Sequence, residues 1–450
     1  MRLARAIPAG IIDAGMASVA TFILNIYAIR EWQTASPTIL GIYFLYMTTF
    51  IMASTVPNQL LFVPAEKMTL DVPQRARVAV YSRIIRLGIP VAVGSGLLVA
   101  VVVPVGNSQG LSLGDQTPFL ITAALAAVFF PMQNHARRLL HLAGRSWAAA
   151  SVSLVQVGTA AVALAVLTST TIASEWIPIG ALAAANLVSL LAASLMIYRF
   201  SAVLDPGSSA IAADVRRRIG HRELAPSGRW LVGTGFLSTG NNVLVEAAIV
   251  FIVGSPALAL AGAAKTVAQP ILVLANGLRS VLGPPSMEAA KARDRVAARR
   301  AARIFGLLTL AAVVGYSGLA GFDWIGNPLA RLVENAYTVP FLVVLTIAAN
   351  GFNGAAFPGR LELIGAGRER QLFGAELRAN IGQLGVAVVA ALAAGGSTNA
   401  GAFARPTAFA VLGLTRIFGY ERDLNVHYTG TAAPSRPDTT IASSPELPPL

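Results

Sequence analysis

The sequence predicts an all-α polytopic membrane protein of about twelve transmembrane helices, built as two six-helix repeats. Three observations carry that expectation. Hydrophobic residues fill 55% of the 450 positions and charged residues only 12%, about half the charge of an average soluble domain, and the mean hydropathy is +0.65. Basic residues cluster at every second connection between apolar runs. One nine-residue motif recurs in the second half of the chain. At about 20 residues per span, the length suits a dozen helices. The net charge of +13 then records orientation in the membrane, and no basic soluble domain exists for nucleic acid to dock on. With no cysteine, disulfides, thiolate metal sites and cysteine nucleophiles are excluded.

The first segment, 7–29, follows Arg2 and Arg5 in the manner of a signal peptide. Asp13 and Asn25 interrupt it and no small-x-small cleavage site follows, so it reads as a retained helix. The second, 38–64, comes after a short loop at 30–37 and ends before Lys67, Arg75, Arg77, Arg83 and Arg86. Segments 84–106 and 117–134 enclose a loop at 107–116 and are followed by Arg137, Arg138 and Arg145. The next pair, 147–169 and 177–197, enclose 170–176. Arg199, Arg216, Arg217, Arg218, Arg222 and Arg229 then fill the longest connection, 198–229. Segments 230–254 and 258–286 lead to Arg279, Lys291, Arg293, Arg295, Arg299, Arg300 and Arg303. Segments 304–324 and 337–358 enclose 325–336 and precede Arg360, Arg368, Arg370 and Arg378. The last two, 371–395 and 399–419, are joined by 396–398 and flanked by Arg416, Arg422 and Arg436. In all, 30 of the 34 basic residues fall on one side. Arg30 and Arg331 lie in opposite-side loops, and Lys265 and Arg405 lie inside spans. The bias places that side, and both termini, in the cytoplasm. The opposite loops are too short for a catalytic domain, and the Pro-, Ser- and Thr-rich stretch 434–450 reads as a disordered tail.

Arg137-Arg-Leu-Leu-His-Leu-Ala-Gly-Arg145 and Arg360-Leu-Glu-Leu-Ile-Gly-Ala-Gly-Arg368 both fit R-x5-A-G-R, at an offset of 223 residues. The same shift carries the first segment onto the seventh, and the third to sixth close to the ninth to twelfth. Residues 1–197 are thus expected to form an N-terminal bundle and 230–419 a C-terminal bundle. A cytoplasmic linker at 198–229 joins them, and 420–450 form a cytoplasmic tail. Two like bundles facing one another across a cleft suit alternating access.

Ionised side chains inside a span each cost about 2.5–3.5 kcal/mol on insertion scales, so they mark partners or an aqueous cavity. Glu246 is the deepest carboxylate. Gly235, Thr239, Asn242 and Glu246 form one stripe at 4, 3, 4 spacing, widened by Asn241. Lys265, Gln269 and Asn276 share a face of the next segment, with Arg279 just beyond. Glu246 and Lys265 are expected either to pair or to contact an anionic substrate. Asp13, near the cytoplasmic end, is a candidate for ion coupling or an interfacial residue, and Ser18, Thr21 and Asn25 make a stripe above it. Glu376, Asn380 and Gln383 read as a seam between helices, and Arg405 as reaching to the outer interface.

The four histidines, His135, His141, His221 and His427, read as solvated groups in connections or the tail, with no metal-ligand spacing. No Walker A motif, Rossmann glycine pattern or paired catalytic acids appear. Neither an enzyme nor a cofactor or metal is expected. A major facilitator transporter would carry a glycine-rich motif between its second and third helices, and the stretch Glu66–Arg77 has no glycine.

Several stretches together resemble the multidrug/oligosaccharidyl-lipid/polysaccharide (MOP) exporter superfamily, and most closely its bacterial polysaccharide flippase branch. They are Ile11–Asn25 with its early Asp and late Asn, Gly41-Ile-Tyr43, and Pro131-Met-Gln-Asn with Arg137–Arg145 as the loop after the fourth helix. Gly228-Arg-Trp230 and Gly262-Ala-Ala-Lys-Thr complete the set. The resemblance implies a MATE-like, V-shaped pair of bundles in the bacterial cytoplasmic membrane. Its cargo would be a lipid-linked oligosaccharide or polysaccharide precursor moved from the inner to the outer leaflet. Lys265 and Arg279 would then meet pyrophosphate, while Asn25, Asn241, Asn242, Gln269 and Asn276 would meet sugar hydroxyls. The lipid bilayer, and a polysaccharide polymerase or glycosyltransferase, would be its partners. A drug or metabolite antiporter of the same superfamily, coupled through Asp13 or Glu246, is the alternative.

Overall fold

The computed structural model describes residues 2–32, 47, 50–106, 113–170 and 176–429. Among the described residues there are helices and no strand. The N-terminal half holds α1 (Arg2–Trp32), α2 (50–68), α3 (Tyr81–Gly106), α4 (Leu113–Leu142), α5 (Ser146–Thr170) and α6 (Ile177–Ala202). The C-terminal half holds α7 (His221–Ile252), α8 (Ser255–Lys291), α9 (Arg295–Ala320), α10 (Leu342–Ala355, continued by Phe357–Gly365), α11 (Glu369–Ala393) and α12 (Ala404–Thr429). Ten of these are long and apolar enough to cross a membrane. The other two are α2, whose start lies outside the described residues, and α12, which carries Arg405, Arg416, Glu421, Arg422 and Asp423. Gly41–Tyr43, most of the loops 30–37 and 107–116, residues 171–175 and the tail from 430 also lie outside them.

The helices outrun the expected spans at the arginine-rich end. α4 continues to Leu142, α8 to Lys291, α10 to Gly365 and α12 to Thr429. Arg, Lys and Glu are good helix formers, so apolarity marks only the embedded part of each helix. This corrects two expectations. The stretch Arg137–Arg145 is helix up to its last three residues. Three of the four histidines are not solvated: His135 is fully buried and His141 and His427 nearly so, and only His221 is exposed. The linker also contains a helix, Pro206–Arg218, capped by Asp205. The Ser208 amide donates to the Asp205 carboxylate at 2.8 Å and holds its pKa below the usual range.

The repeated motif is a helix terminus. Gly144 and Gly367 have φ of +73° and +72°. At the first, the Gly144 amide donates to His141 O at 2.9 Å and the Arg145 amide to Leu140 O at 2.8 Å. At the second, Gly367 donates to Ile364 O at 3.1 Å and Arg368 to Leu363 O at 2.9 Å. Both are the paired hydrogen bonds of a left-handed C-terminal cap, which requires glycine at that position.

Packing repeats as well. In the first half α1 packs on α5, α5 on α6, α6 on α4 and α4 on α3. In the second, α7 packs on α11, α11 on α12, α12 on α10 and α10 on α9. Between halves α1 meets α8 and α7 meets α2, an exchange of equivalents. The helices approach closely because small residues sit at the crossings. A Cβ on Gly10 would lie 2.6 Å from Gly277 O, and one on Gly228 would lie 2.1 Å from Leu60 O. At the second crossing α2 widens into a π-turn over Asn58–Phe62.

Both crossings lie toward the arginine-rich end. There one apolar cluster joins the halves, running from Leu61, Phe62 and Leu139 to Leu363, Leu372 and Tyr420. Toward the other end the cores separate. One holds Leu24, Phe50, Phe119 and Leu182 of the first half, while two others hold only second-half residues. This is a V of two bundles joined at the basic end. Leu97, Leu154, Val162, Leu307, Val314 and Val389 stand outward on its flanks, as a lipid-facing surface requires.

Candidate functional site

A cavity of about 250 Å³ opens inside the second bundle. It is lined by Asn242 of α7, Lys265 and Gln269 of α8, Thr346 and Asn350 of α10, Gln383 of α11 and Arg405 of α12. Asn242, Lys265 and Gln383 each stand ten residues from the non-basic end of their helices. At 1.5 Å per residue that is about 15 Å, or half the hydrocarbon thickness. Five helices thus contribute to one polar layer.

Its electrostatics depart from the sequence reading. Glu246 pairs with Arg405, not with Lys265. Arg405 was expected to reach the outer interface; it turns inward because Glu246 offers a carboxylate across the α7–α12 gap. Lys265 lies within range of that pair without a carboxylate of its own among the described residues. The cavity therefore holds one uncompensated positive charge among amides and a hydroxyl. Some amides are engaged: Gln383 Nε2 donates to Asn242 Oδ1 at 3.2 Å, and Asn350 Nδ2 to Ala268 O at 2.8 Å.

The remaining expected residues go elsewhere. Asn241 is buried behind the cavity, its amide donating to Gln383 Oε1 at 2.7 Å and Asn380 O at 3.1 Å. It holds α7 to α11 and does not line the cavity. Asn276 is exposed further along α8. Arg279 stands 5.4 Å over the Phe357 ring and within range of Arg138, Arg360 and Glu66. Asn25 is half-buried on α1 in the other bundle. Thr346, Asn350 and Arg405 were missed as cavity residues, because only the folded bundle puts α10 and α12 beside α7 and α8.

Arg138, Arg279 and Arg360 approach one another from α4, α8 and α10 at the basic end, with Glu66 the nearby carboxylate. Glu66 is spoken for. His135 Nδ1 lies 2.9 Å from it and Arg138 Nη1 3.6 Å, and the Phe62 ring stacks on His135 at 4.7 Å. The cluster is thus rich in cation at the joint between bundles.

The same joint is crossed by ion pairs. Lys67 meets Glu369 at 2.7 Å, Arg77 meets Glu288 at 2.5 Å, and Asp71 meets Lys291. Ser227 also donates to Glu369 at 2.6 Å. Three charges at the end of α2 and just after it, in the order plus, minus, plus, face minus, plus, minus on the second bundle.

In the first bundle Asp13 is 1% exposed. It accepts from Ser153 Oγ at 2.6 Å, and lies 3.0 Å from His141 Nε2 and 3.5 Å from Arg137 Nε. It is therefore internal, not interfacial. One turn away, Gly10 crosses α8. In the second bundle Glu376 of α11 holds the corresponding place: it meets Arg416 at 2.7 Å, Ser238 Oγ at 3.4 Å and the Tyr420 hydroxyl. Ser153 and Glu376 are 223 residues apart, so the carboxylate has changed sides of the same helix pair. An imidazole, that of His141, faces only the first of them.

Among the described residues no cluster of His, Cys, Asp or Glu is arranged to hold a metal ion. No family model matches the chain, and no curated protein matches its sequence. Solved structures do match in fold. An outward-facing MATE family multidrug resistance transporter of the MOP superfamily aligns at TM-score 0.66 and 16% identity, over 96% of this chain and 97% of that one. A MATE structure in complex with MaD5 gives 0.68 and 15%, over 95% and 96%. A MOP superfamily transporter from Pyrococcus furiosus, reported with a binding pocket of reverse polarity, gives 0.66 and 14%, over 95% and 96%. The fold is MATE-like along nearly the whole chain.

Proposed function

We propose that the protein is an alternating-access transporter that flips a lipid-linked oligosaccharide or polysaccharide precursor from the inner to the outer leaflet of the bacterial cytoplasmic membrane. Its basic end faces the cytoplasm, and residues 1–197 and 230–419 move as the two bundles. The observation that carries this reading is the polar layer at mid-depth of the second bundle. Lys265 leaves it net positive, which suits hydroxyls and anions and disfavours a cationic drug. The arginines at the joint add a second cationic place, suited in charge to a diphosphate entering from the cytoplasmic side. Asn242, Lys265, Gln269 and Arg279 contact the cargo in this reading, and the neighbouring bilayer carries its lipid. A polysaccharide polymerase or glycosyltransferase supplies or consumes it.

One observation favours a second reading, a proton- or sodium-coupled antiporter. Asp13 is a buried carboxylate beside His141, one turn from the α1–α8 crossing, where a change of charge would reach the joint. Lipid extracts from a deletion strain and its parent, compared by mass spectrometry, separate the two. Accumulated lipid-linked glycan with lost surface polysaccharide supports flipping. Unchanged glycan together with drug sensitivity supports the antiporter.

A further inference from the structure

The geometry points to a carboxylated sugar as the group received by the cavity in the second bundle, with Lys265 as the residue that selects it. The inference rests on the flippase reading and adds the charge class of the glycan.

Depth in the membrane first argues for an anion. A lysine half-way through the membrane is stable only beside a counter-charge or water. Arg405 has its carboxylate in Glu246, so the charge on Lys265 is the one the protein leaves open. Glu246 cannot serve both cations equally, because Arg405 is the directly paired partner while Lys265 stands off the pair.

Size and chemistry then narrow the anion. At about 250 Å³ the cavity sits below the roughly 300–1,000 Å³ of drug-sized sites, so it takes one ring of a glycan and not a whole repeat unit. Asn242, Gln269 and Thr346 present amides and a hydroxyl, which match ring hydroxyls as both donors and acceptors. A single ammonium is a point charge suited to one carboxylate. A diphosphate, with more charge and more oxygens, is better met by several guanidiniums. Those stand elsewhere, in the Arg138, Arg279 and Arg360 cluster at the basic end. The two cationic places therefore divide the cargo, the arginines taking the diphosphate and Lys265 an acidic ring.

The test uses the purified full-length protein in proteoliposomes. Two probes are compared: a polyprenyl-diphosphate disaccharide ending in glucuronic acid, and the same molecule ending in glucose. Wild type is expected to flip the acidic probe about ten- to a hundredfold faster, the range for one charge-assisted hydrogen bond. Lys265→Met should lose that preference while still flipping the neutral probe, which also shows that it folds. Equal rates for both probes in wild type overturn the inference and leave the flippase reading standing. A Lys265→Met variant slowed equally on both probes also overturns it, since the lysine then meets the diphosphate. If wild type moves neither probe but expels a cationic dye, the flippase reading itself fails. The wild-type preference decides the matter even for a variant that does not fold.

Discussion

Gly144 and Gly367 show what a single residue contributes here. Each ends a helix in the left-handed region, and any other L-residue there costs about 1–2 kcal/mol. A Cβ on Gly144 would also come within 3.1 Å of the Gln74 side chain, while one on Gly367 meets the flexible end of Lys67 at 3.3 Å. Gly144→Ala and Gly367→Ala should therefore both lower the melting temperature in detergent, by similar amounts. A large loss at one and none at the other would break the equivalence of the two caps. Asp13 is a different case. Its removal leaves a buried His141 and a part-buried Arg137 without their carboxylate, so Asp13→Ala should cost about 3–5 kcal/mol. Asp13→Asn, which keeps an acceptor for Ser153, should cost less in the same melt. The sequence marked Asp13 as anomalous but gave no partner, because His141 and Ser153 are more than a hundred residues away.

Among the elements, the end of α2 and the segment after it have the most to lose during transport. They cross to the second bundle through Lys67–Glu369, Arg77–Glu288 and Asp71–Lys291, and an inward-opening movement must part these pairs. Asp71–Lys291 is exposed on both sides and contributes about 0–1 kcal/mol, while Arg77 and Glu369 are the buried members of the other two pairs, so the three together bias the closed state. Asp71→Lys should favour inward opening, and adding Lys291→Asp should restore the balance. Accessibility of a labelled cysteine in the cleft would report both, and the second result is the decisive one. The chain has no native cysteine, so Asp71→Cys with Lys291→Cys can be bridged by a reversible bis-thiosulfonate without background. Bridging is expected to stop transport and reduction to restore it; undiminished transport when bridged would show that this joint does not open. The charges were visible in the sequence as orientation signals. Their alternating register against Glu288, Lys291 and Glu369 was not, since pairing across 211 to 302 residues leaves no local pattern.

For the whole molecule, the V shape and the position of its joint make one further prediction. A small tag after Gly110 should label from outside intact cells, because Gly106 of α3 and Leu113 of α4, the described residues on either side of it, stand at the helix ends opposite the basic end; labelling only after permeabilisation would invert the protein in the membrane. What the sequence determined by itself was the class, the number and order of spans, their expected orientation and the two-fold repeat. Those follow from burial in lipid, which acts on each twenty-residue stretch separately, and from caps that act on neighbouring residues. Only the tertiary structure decided that Glu246 belongs to Arg405, that Asn241 binds helices together while Asn242 and Gln383 face a cavity, and that three histidines are interior. A side chain's face is fixed by which helices surround it. That arrangement is set by packing between distant segments, and hydropathy summed along the chain carries no record of it.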